Sequence, residues 1–251
     1  MTIRELRCAG FLKIFMVEDM ADNKKADYIL PGRAESYWLA TTPESSYPPL
    51  SGDIHIDVAI LGGGIVGITT AFLLKEAGLS SVAVIEADRI IKGVTGHTTA
   101  KVTSQHGLIY DRLISKFGKE QAQQYADSNQ AAIEKIASII SSKGIDCDFV
   151  RMPAYVYASS EESIVNIRNE VDAAQSLGLP ASFESDLPLP FKTYGAVLFG
   201  NQAQFHPRKY LCALAKEIEG DGCHIFEKTR ALKLEGDGPI KIITNKEIIK
   251  A

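Results

Sequence analysis

The apolar positions change period at residue 62, and that change marks the clearest unit of the chain. Residues 57–61 (DVAIL) form a short, nearly continuous apolar run of the kind that makes a parallel strand buried on both faces. From residue 65 to 77 apolar residues recur at helical spacing, and Gly78 supplies a stop. Residues 81–85 are a second apolar run that ends on Glu86. The pattern predicts strand, turn, helix, strand.

Later segments are also legible. Residues 110–117 and 119–142 read as helices, the second with an apolar face of Ala122, Tyr125, Ala126, Ile133, Ile136, Ala137 and Ile140. Residues 147–158 alternate and read as a strand, and Pro153 near its middle predicts an edge position or a bulge. An amphipathic helix over 161–177 stops at Gly178 and Pro180; 182–193 reads as a proline-punctuated loop and 195–199 as a short strand. Pro207 suits the first turn of a helix over 208–219. Short strands at 223–227, 229–235 and 240–244 follow, with turns at 236–238 and 245–246 and a further element starting at Ile248. Ahead of all this, residues 1–27 lack clean periodicity and read as a tail. Residues 28–53 are rich in proline, serine and tyrosine and hold the only tryptophan, Trp38; they read either as a leader that packs through a few aromatics or as a disordered linker.

Chemistry concentrates in the turn. Gly62, Gly64 and Gly67 make G-x-G-x-x-G, with an extra glycine at Gly63. Gly62 permits the tight turn, Gly64 lets backbone approach a pyrophosphate, and Gly67 lets helix and strands pack closely. The helix N-terminus offers free N–H groups and partial positive charge. Glu86 lies 19 residues past Gly67, where a carboxylate meets ribose hydroxyls. The small, polar stretch 93–107 follows with no immediate strand after it, so it is expected along the same crevice, where Thr95, Thr98, Thr99 and backbone N–H groups face phosphate or ribityl oxygens.

Bulk properties narrow the partners. A 45% hydrophobic, 23% charged chain of net charge −4 with no basic block argues against nucleic-acid binding. Cys8, Cys147, Cys212 and Cys223 are too scattered for C-x-x-C or Cys/His metal spacing and read as free thiols of a reducing cytosol, a metal or disulfide site being the lesser alternative. No apolar run approaches the roughly 20 residues of a membrane span. Lys13 and Glu18-Asp19 spoil the faint signal-peptide pattern of 8–17, so a cytoplasmic chain without an anchor is expected.

The residues LGGGIVG (61–67), VIEA (84–87), GVTGHTTA (93–100) and the segment 204–235 together resemble the D-amino-acid-oxidase-like FAD-dependent oxidoreductases. SYWLAT and TGHTTAKVTSQHG are similar to the bacterial FAD-dependent oxidoreductases that often carry a C-terminal Rieske domain, and the resemblance spans about residues 36–251. It implies an α/β fold: a Rossmann-like FAD-binding domain of parallel sheet, helices and a β-meander, plus part of an α+β substrate-side region. The implied divisions are 1–53 (extension and leader), 54–110 (βαβ unit and cofactor loop), 111–200 (substrate-side insertion) and 201–251 (return to the FAD domain). The cofactor would be FAD. Gly62, Gly64 and Gly67, with the N–H groups of Ile65 and Val66, would hold its pyrophosphate. Glu86 would bind the AMP ribose with Ala87 beside the adenine, and the backbone of Ala231 would meet that adenine. Thr95, Gly96, His97, Thr98, Thr99 and Ala100 would run under pyrophosphate, ribityl chain and flavin.

The implied reaction is hydride transfer from an amine or amino acid to flavin. No catalytic residue follows. His97 and His106 read as polar loop groups, although some members of the family tether FAD through a histidine in this region. His206 reads as a helix-start or strand-end contact rather than a base, Arg151 and Arg208 as surface or ion-pair residues, and Tyr155 and Tyr157 as core or face packing, with pocket lining the lesser alternative. The family fold runs on past residue 251 and a Rieske ligand pair is missing here, so the resemblance implies an N-terminal portion with an open flavin site and an electron acceptor supplied elsewhere. The alternative is a nucleotide-binding module or assembly subunit without turnover. An NAD dehydrogenase is disfavoured by the threonine loop after Glu86.

Overall fold

The computed structural model describes residues 32–251 and, before them, the strands β1 (Arg4–Cys8) and β2 (Leu12–Met16), an antiparallel pair. The rest of the expected tail over 1–27 lies outside the described residues. Then come α1 (Tyr37–Ala40), β3 (Ile54–His55), β4 (Val58–Leu61), α2 (Ile65–Glu76) and β5 (Val82–Ile85). Next are β6 (Lys101–Val102), α3 (Tyr110–Phe117), α4 (Lys119–Lys143), β7 (Val150–Tyr157) and α5 (Ile164–Ser176). The chain closes with β8 (Ala181–Glu184), β9 (Ala196–Gln204), α6 (Pro207–Ile218), β10 (His224–Phe226), β11 (Ala231–Glu235), β12 (Lys241–Thr244) and β13 (Ile248–Lys250).

At the centre lies an all-parallel sheet ordered β10-β5-β4, with Val58 opposite Val82 and Ile225 opposite Val84. Its middle strand is VAVI, buried along its whole length, because it has no solvent face. Val82 and Val84 point into a core shared with Ile68 and Phe72 of α2 and Leu211, Leu214 and Ile218 of α6. Ala83 and Ile85 point the other way, against Leu50, Ile56, Ile242 and Ile249. That second layer is the predicted meander, β11-β12-β13 antiparallel, extended by β3 running parallel to β13.

The second sheet is antiparallel: β9 pairs with β7 along one side and with β6 and β8 on the other. Pro153 sits at a register shift of β7, which is an edge strand, as its proline demands. Three expectations need correction. The loop read over 182–193 begins with strand β8, whose Ala181 and Phe183 cover the helical core while Pro180 accepts a bond from Gly200 N–H. The short strand read at 195–199 extends to Gln204; its polar second half is held by pairing with β7 and by buried Gln202, whose Oε1 accepts from Ser104 N–H at 2.7 Å. The loop after Gly93 does reach a strand, β6, two residues long and visible only through its partner β9.

Helices α3, α4 and α5 cover this sheet. Glu170 of α5 is fully buried, and its carboxylate accepts from the N–H groups of Ile109, Tyr110 and Asp111 at 2.9–3.0 Å. It thereby satisfies orphan donors at the start of α3, where negative charge is also favoured by the helix dipole.

Candidate functional site

The turn between β4 and α2 is built as its glycines demand. Gly62 sits at φ 107°, closed to most side chains. A Cβ on Gly67 would stand 1.9 Å from the Gly62 carbonyl oxygen, so strand and helix touch there. A Cβ on Gly64 would come within 3.3 Å of Thr95 Oγ1, filling the cleft between α2 and the following loop. Gly63 has its own cause: a side chain would run into Ile90 at 2.5 Å. Val66 and Val94, 76% and 90% exposed, leave apolar groups open near this cleft.

Two groups the sequence assigned to a ligand, one donor and one acceptor, are engaged by the protein. Ile65 N–H donates to Thr95 Oγ1 at 3.1 Å. The hydroxyl proton of Thr95 is therefore what the loop offers an anion at this helix end. Glu86, at the end of β5, accepts from Gly63 N–H through Oε2 and from Asp88 N–H through Oε1, both at 2.8 Å. Each oxygen keeps a second lone pair for a ribose hydroxyl. Ala87 lies between them in sequence. Ala231 begins β11, just past the segment that binds Glu86 through Phe226 O and Thr229 N–H.

Residues 91–100 fold into a tight bracket. Val94–His97 is a 3-10 turn, and Ile91 and Ala100 stand at φ 58° and 60° on either side. A β-branched residue in the left-handed region is rare and persists only where its surroundings hold it. Ile91 is so held: its N–H donates to Gly63 O at 2.8 Å and its carbonyl accepts from Arg208 Nη1 at 3.0 Å. His97 Nδ1 meets Gly93 O within the loop at 2.8 Å and His106 Nε2 meets Asn129 Oδ1 of α4 at 3.3 Å, so both histidines bond to protein neighbours. Thr98 and Thr99 are exposed.

Residues 33–50 pack onto this bracket, which settles the leader against the linker for that stretch. Ser36 Oγ donates to Gly96 O at 2.5 Å and the Trp38 indole to Thr98 O at 2.7 Å. Buried Arg208 also donates to Thr42 Oγ1 and Pro43 O, at 2.6 and 2.9 Å. The expected surface or ion-pair role of Arg208 is therefore wrong; its charge is dispersed over carbonyl and hydroxyl oxygens. Arg151, by contrast, does pair at the surface with Glu134, at 2.7 Å. Buried Glu227 accepts from Ser45 Oγ, from Tyr47 N–H at 3.1 Å and from Ile90 N–H at 2.8 Å, tying leader, loop and β10 end together.

His206 caps α6, accepting from Lys209 N–H through Nδ1 at 3.3 Å, which leaves Nε2–H to donate to Thr41 Oγ1 at 2.9 Å. Burial, then Lys209 nearby, lowers its pKa below the ordinary histidine value. This bears out the helix-start reading. Sequence reasoning missed Arg208, Glu227 and Trp38 as builders of the site; the tryptophan in SYWLAT was the one available signal.

On the antiparallel sheet a groove of about 270 Å³ is lined by Lys101, Thr103, Gln105, Met152, Tyr155 and Gln202. Tyr155 and Tyr157 are about two-fifths exposed, so the expected core packing does not hold for their outer faces. Cys147 and Cys223 are buried and Cys212 half-buried, all free; burial pushes the Cys147 thiol up to about 11. Among the described residues no helix is long and apolar enough to cross a membrane.

Comparison with known proteins agrees with this geometry. The chain is 41% identical over 218 residues to the provisionally named Rieske 2Fe-2S iron-sulfur protein YhfW of Bacillus subtilis, covering 86% of this chain and 43% of that one. It is 25% identical to the gamma-glutamylputrescine oxidoreductase of Escherichia coli, covering 86% and 52%. Among solved structures, glycine oxidase from Geobacillus kaustophilus superposes with a TM-score of 0.62 at 20% identity, covering 78% and 53%. The L-amino acid deaminase from Proteus vulgaris does so with 0.61 at 22%, covering 80% and 47%. The chain thus spans about half the length of the relatives it matches. The model of the FAD-dependent oxidoreductase (DAO) family matches residues 57–251, and with the glycine turn, acid and loop in place the chain belongs to that family, whose cofactor is FAD.

Proposed function

We propose that this chain supplies the dinucleotide side of a flavin site in an oxidoreductase that takes a hydride from an amine or amino acid. The observation that carries the reading is the cleft where β4 gives way to α2. There Gly64 has no side chain to fill the space facing Thr95, and Glu86 closes the end of the next strand. In this reading Gly62, Gly64, Ile65, Val66 and Gly67 face the pyrophosphate, with Thr95 donating its hydroxyl proton. Glu86 accepts from the ribose, Ala87 and Ala231 flank the adenine, and Gly96, His97, Thr98, Thr99 and Ala100 run along the remainder of the cofactor. FAD supplies the hydride acceptor when bound. The chain's own residues bind and orient it, and the sheet groove beside Tyr155 and Gln202 is where a small substrate would lie.

The substrate class follows the names of the relatives, which act on glycine, L-amino acids or gamma-glutamylputrescine. The name of the Bacillus relative favours an iron–sulfur centre as electron acceptor. Free thiols at Cys147, Cys212 and Cys223 favour the cytoplasm. A second reading, nucleotide binding without turnover, draws on the half-length match to the relatives.

Titrating the purified chain with FAD while recording the visible spectrum tests the reading. Saturable one-to-one uptake should be abolished by Gly64→Asp, which sets a carboxylate against the pyrophosphate. Unchanged affinity in that variant would refute the site. Bleaching of bound flavin by an amine supports turnover, and binding without bleaching by any amine favours the second reading.

A further inference from the structure

We infer that Ser36 and Trp38 are positioning residues for FAD: the segment 36–42 is a strap that fixes the back of the cofactor loop. The inference rests on reading 93–100 as that loop.

Four polar side chains within the segment are used in ways that make sense only against its neighbours. Ser36 occupies the N-cap of α1 yet makes no side-chain cap bond; its hydroxyl reaches across to Gly96 O. A serine at that position ordinarily satisfies its own helix. The single tryptophan spends its only polar atom on Thr98 O, two residues further along the same loop. Leu39 packs on Gly96, where a Cβ would stand 3.2 Å from Leu39 Cδ2, so no side chain separates loop from strap. Thr41 and Thr42 bond back to Tyr37 O and Trp38 O and accept from His206 and Arg208.

The consequence is directional. In a trans peptide the N–H opposes the C=O. Holding the carbonyls of Gly96 and Thr98 against the strap turns the N–H groups of His97 and Thr99 away from it. Thr95, in the same loop, meets Ile65 at the start of α2. The strained residues Ile91 and Ala100 bracket the same stretch, so its resting conformation depends on outside contacts and not on local preference. Arg208 links the two devices, gripping Ile91 O with Nη1, the strap at Thr42 with Nε and the adjoining Pro43 O with Nη2. The strap therefore sets the orientation of loop donors before the cofactor arrives, which lowers the ordering cost of binding it.

The test compares wild type with Trp38→Phe, Ser36→Ala and Ser36→Thr in the full chain. Three readouts are taken: FAD affinity by flavin fluorescence, hydrogen exchange of the 96–99 amides without FAD, and apoprotein melting temperature. Trp38→Phe keeps the ring and removes the donor. Each of Trp38→Phe and Ser36→Ala should weaken FAD binding about five- to tenfold, the worth of one hydrogen bond. Both should speed exchange at 96–99, and Ser36→Thr should restore both readouts. A fall in melting temperature with affinity and loop exchange unchanged would mean a merely structural contact and would overturn the inference. If Gly64→Asp abolishes binding while the strap variants bind as wild type, the strap falls and the cofactor reading stands. If wild type takes up no FAD, the reading of the loop falls and the strap falls with it.

Discussion

The parallel sheet and the antiparallel sheet around β9 are built to opposite standards of self-sufficiency. The parallel sheet β10-β5-β4 is covered on both faces, and the turn after β4 is locked by its glycines: a side chain at Gly67 would collide with the Gly62 backbone and one at Gly63 with Ile90. The antiparallel sheet around β9 is covered by α3, α4 and α5 on one face only. Along β7 it leaves Val150, Met152, Tyr155 and Tyr157 between 40% and 49% exposed. One region is rigid around its glycine turn; the other presents a half-open apolar wall beside a polar groove. On the function proposed above, the cofactor would be held by a rigid frame, while the substrate side would depend on what covers that wall.

The largest effect should come from breaking the rigid frame. Gly67→Ala drives a methyl group into the Gly62 carbonyl, so α2 must part from β4. The expected loss is about 3 kcal/mol or more of unfolding free energy by urea titration. Wild-type stability in this variant would mean the helix does not ride on the strand there. A smaller effect separates the two regions. Glu170→Ala strands three N–H groups at the start of α3, one buried and two partly buried, and should cost about 2 kcal/mol, yet leave FAD affinity unchanged because the lesion lies wholly on the antiparallel side. Weakened FAD binding would show that the regions are coupled.

The smallest effect sits at their junction, His206. Its folded pKa is lowered, so above the ordinary histidine value both states are neutral and stability is full. As pH falls below about 6.5, the unfolded chain takes up the proton first and stability drops, by at most about 1.4 kcal/mol per pH unit. The charged groups that face it are Lys209, Arg208 and Asp148. Replacing it by asparagine keeps a cap acceptor and should remove that part of the acid slope; an identical slope would exclude His206 as its source.

Legibility in the sequence tracked how local each cause was. The β4–α2–β5 unit was readable because glycine positions, apolar runs and the terminal Glu86 each obey rules that act within a few residues. The edge character of β7 was readable from Pro153 alone. Strand β6 and the far half of β9 were not, because two residues or a polar GNQAQ stretch become strand only when a partner is already in place.

What the sequence by itself determined is the order of elements around the glycine turn, the acid at the end of β5 and the family, since these are set by backbone sterics and short-range periodicity. What only the tertiary structure decided is the partnership of residues far apart in the chain. Arg208 grips Ile91 and Pro43, Glu227 collects Ser45, Tyr47 and Ile90, and Trp38 holds Thr98. A buried charge carries no signature of its partners in a linear pattern, because any donor or acceptor brought near by the fold can satisfy it. Here those partners tie a proline-rich leader to the loop after β5, to α6 and to the end of β10.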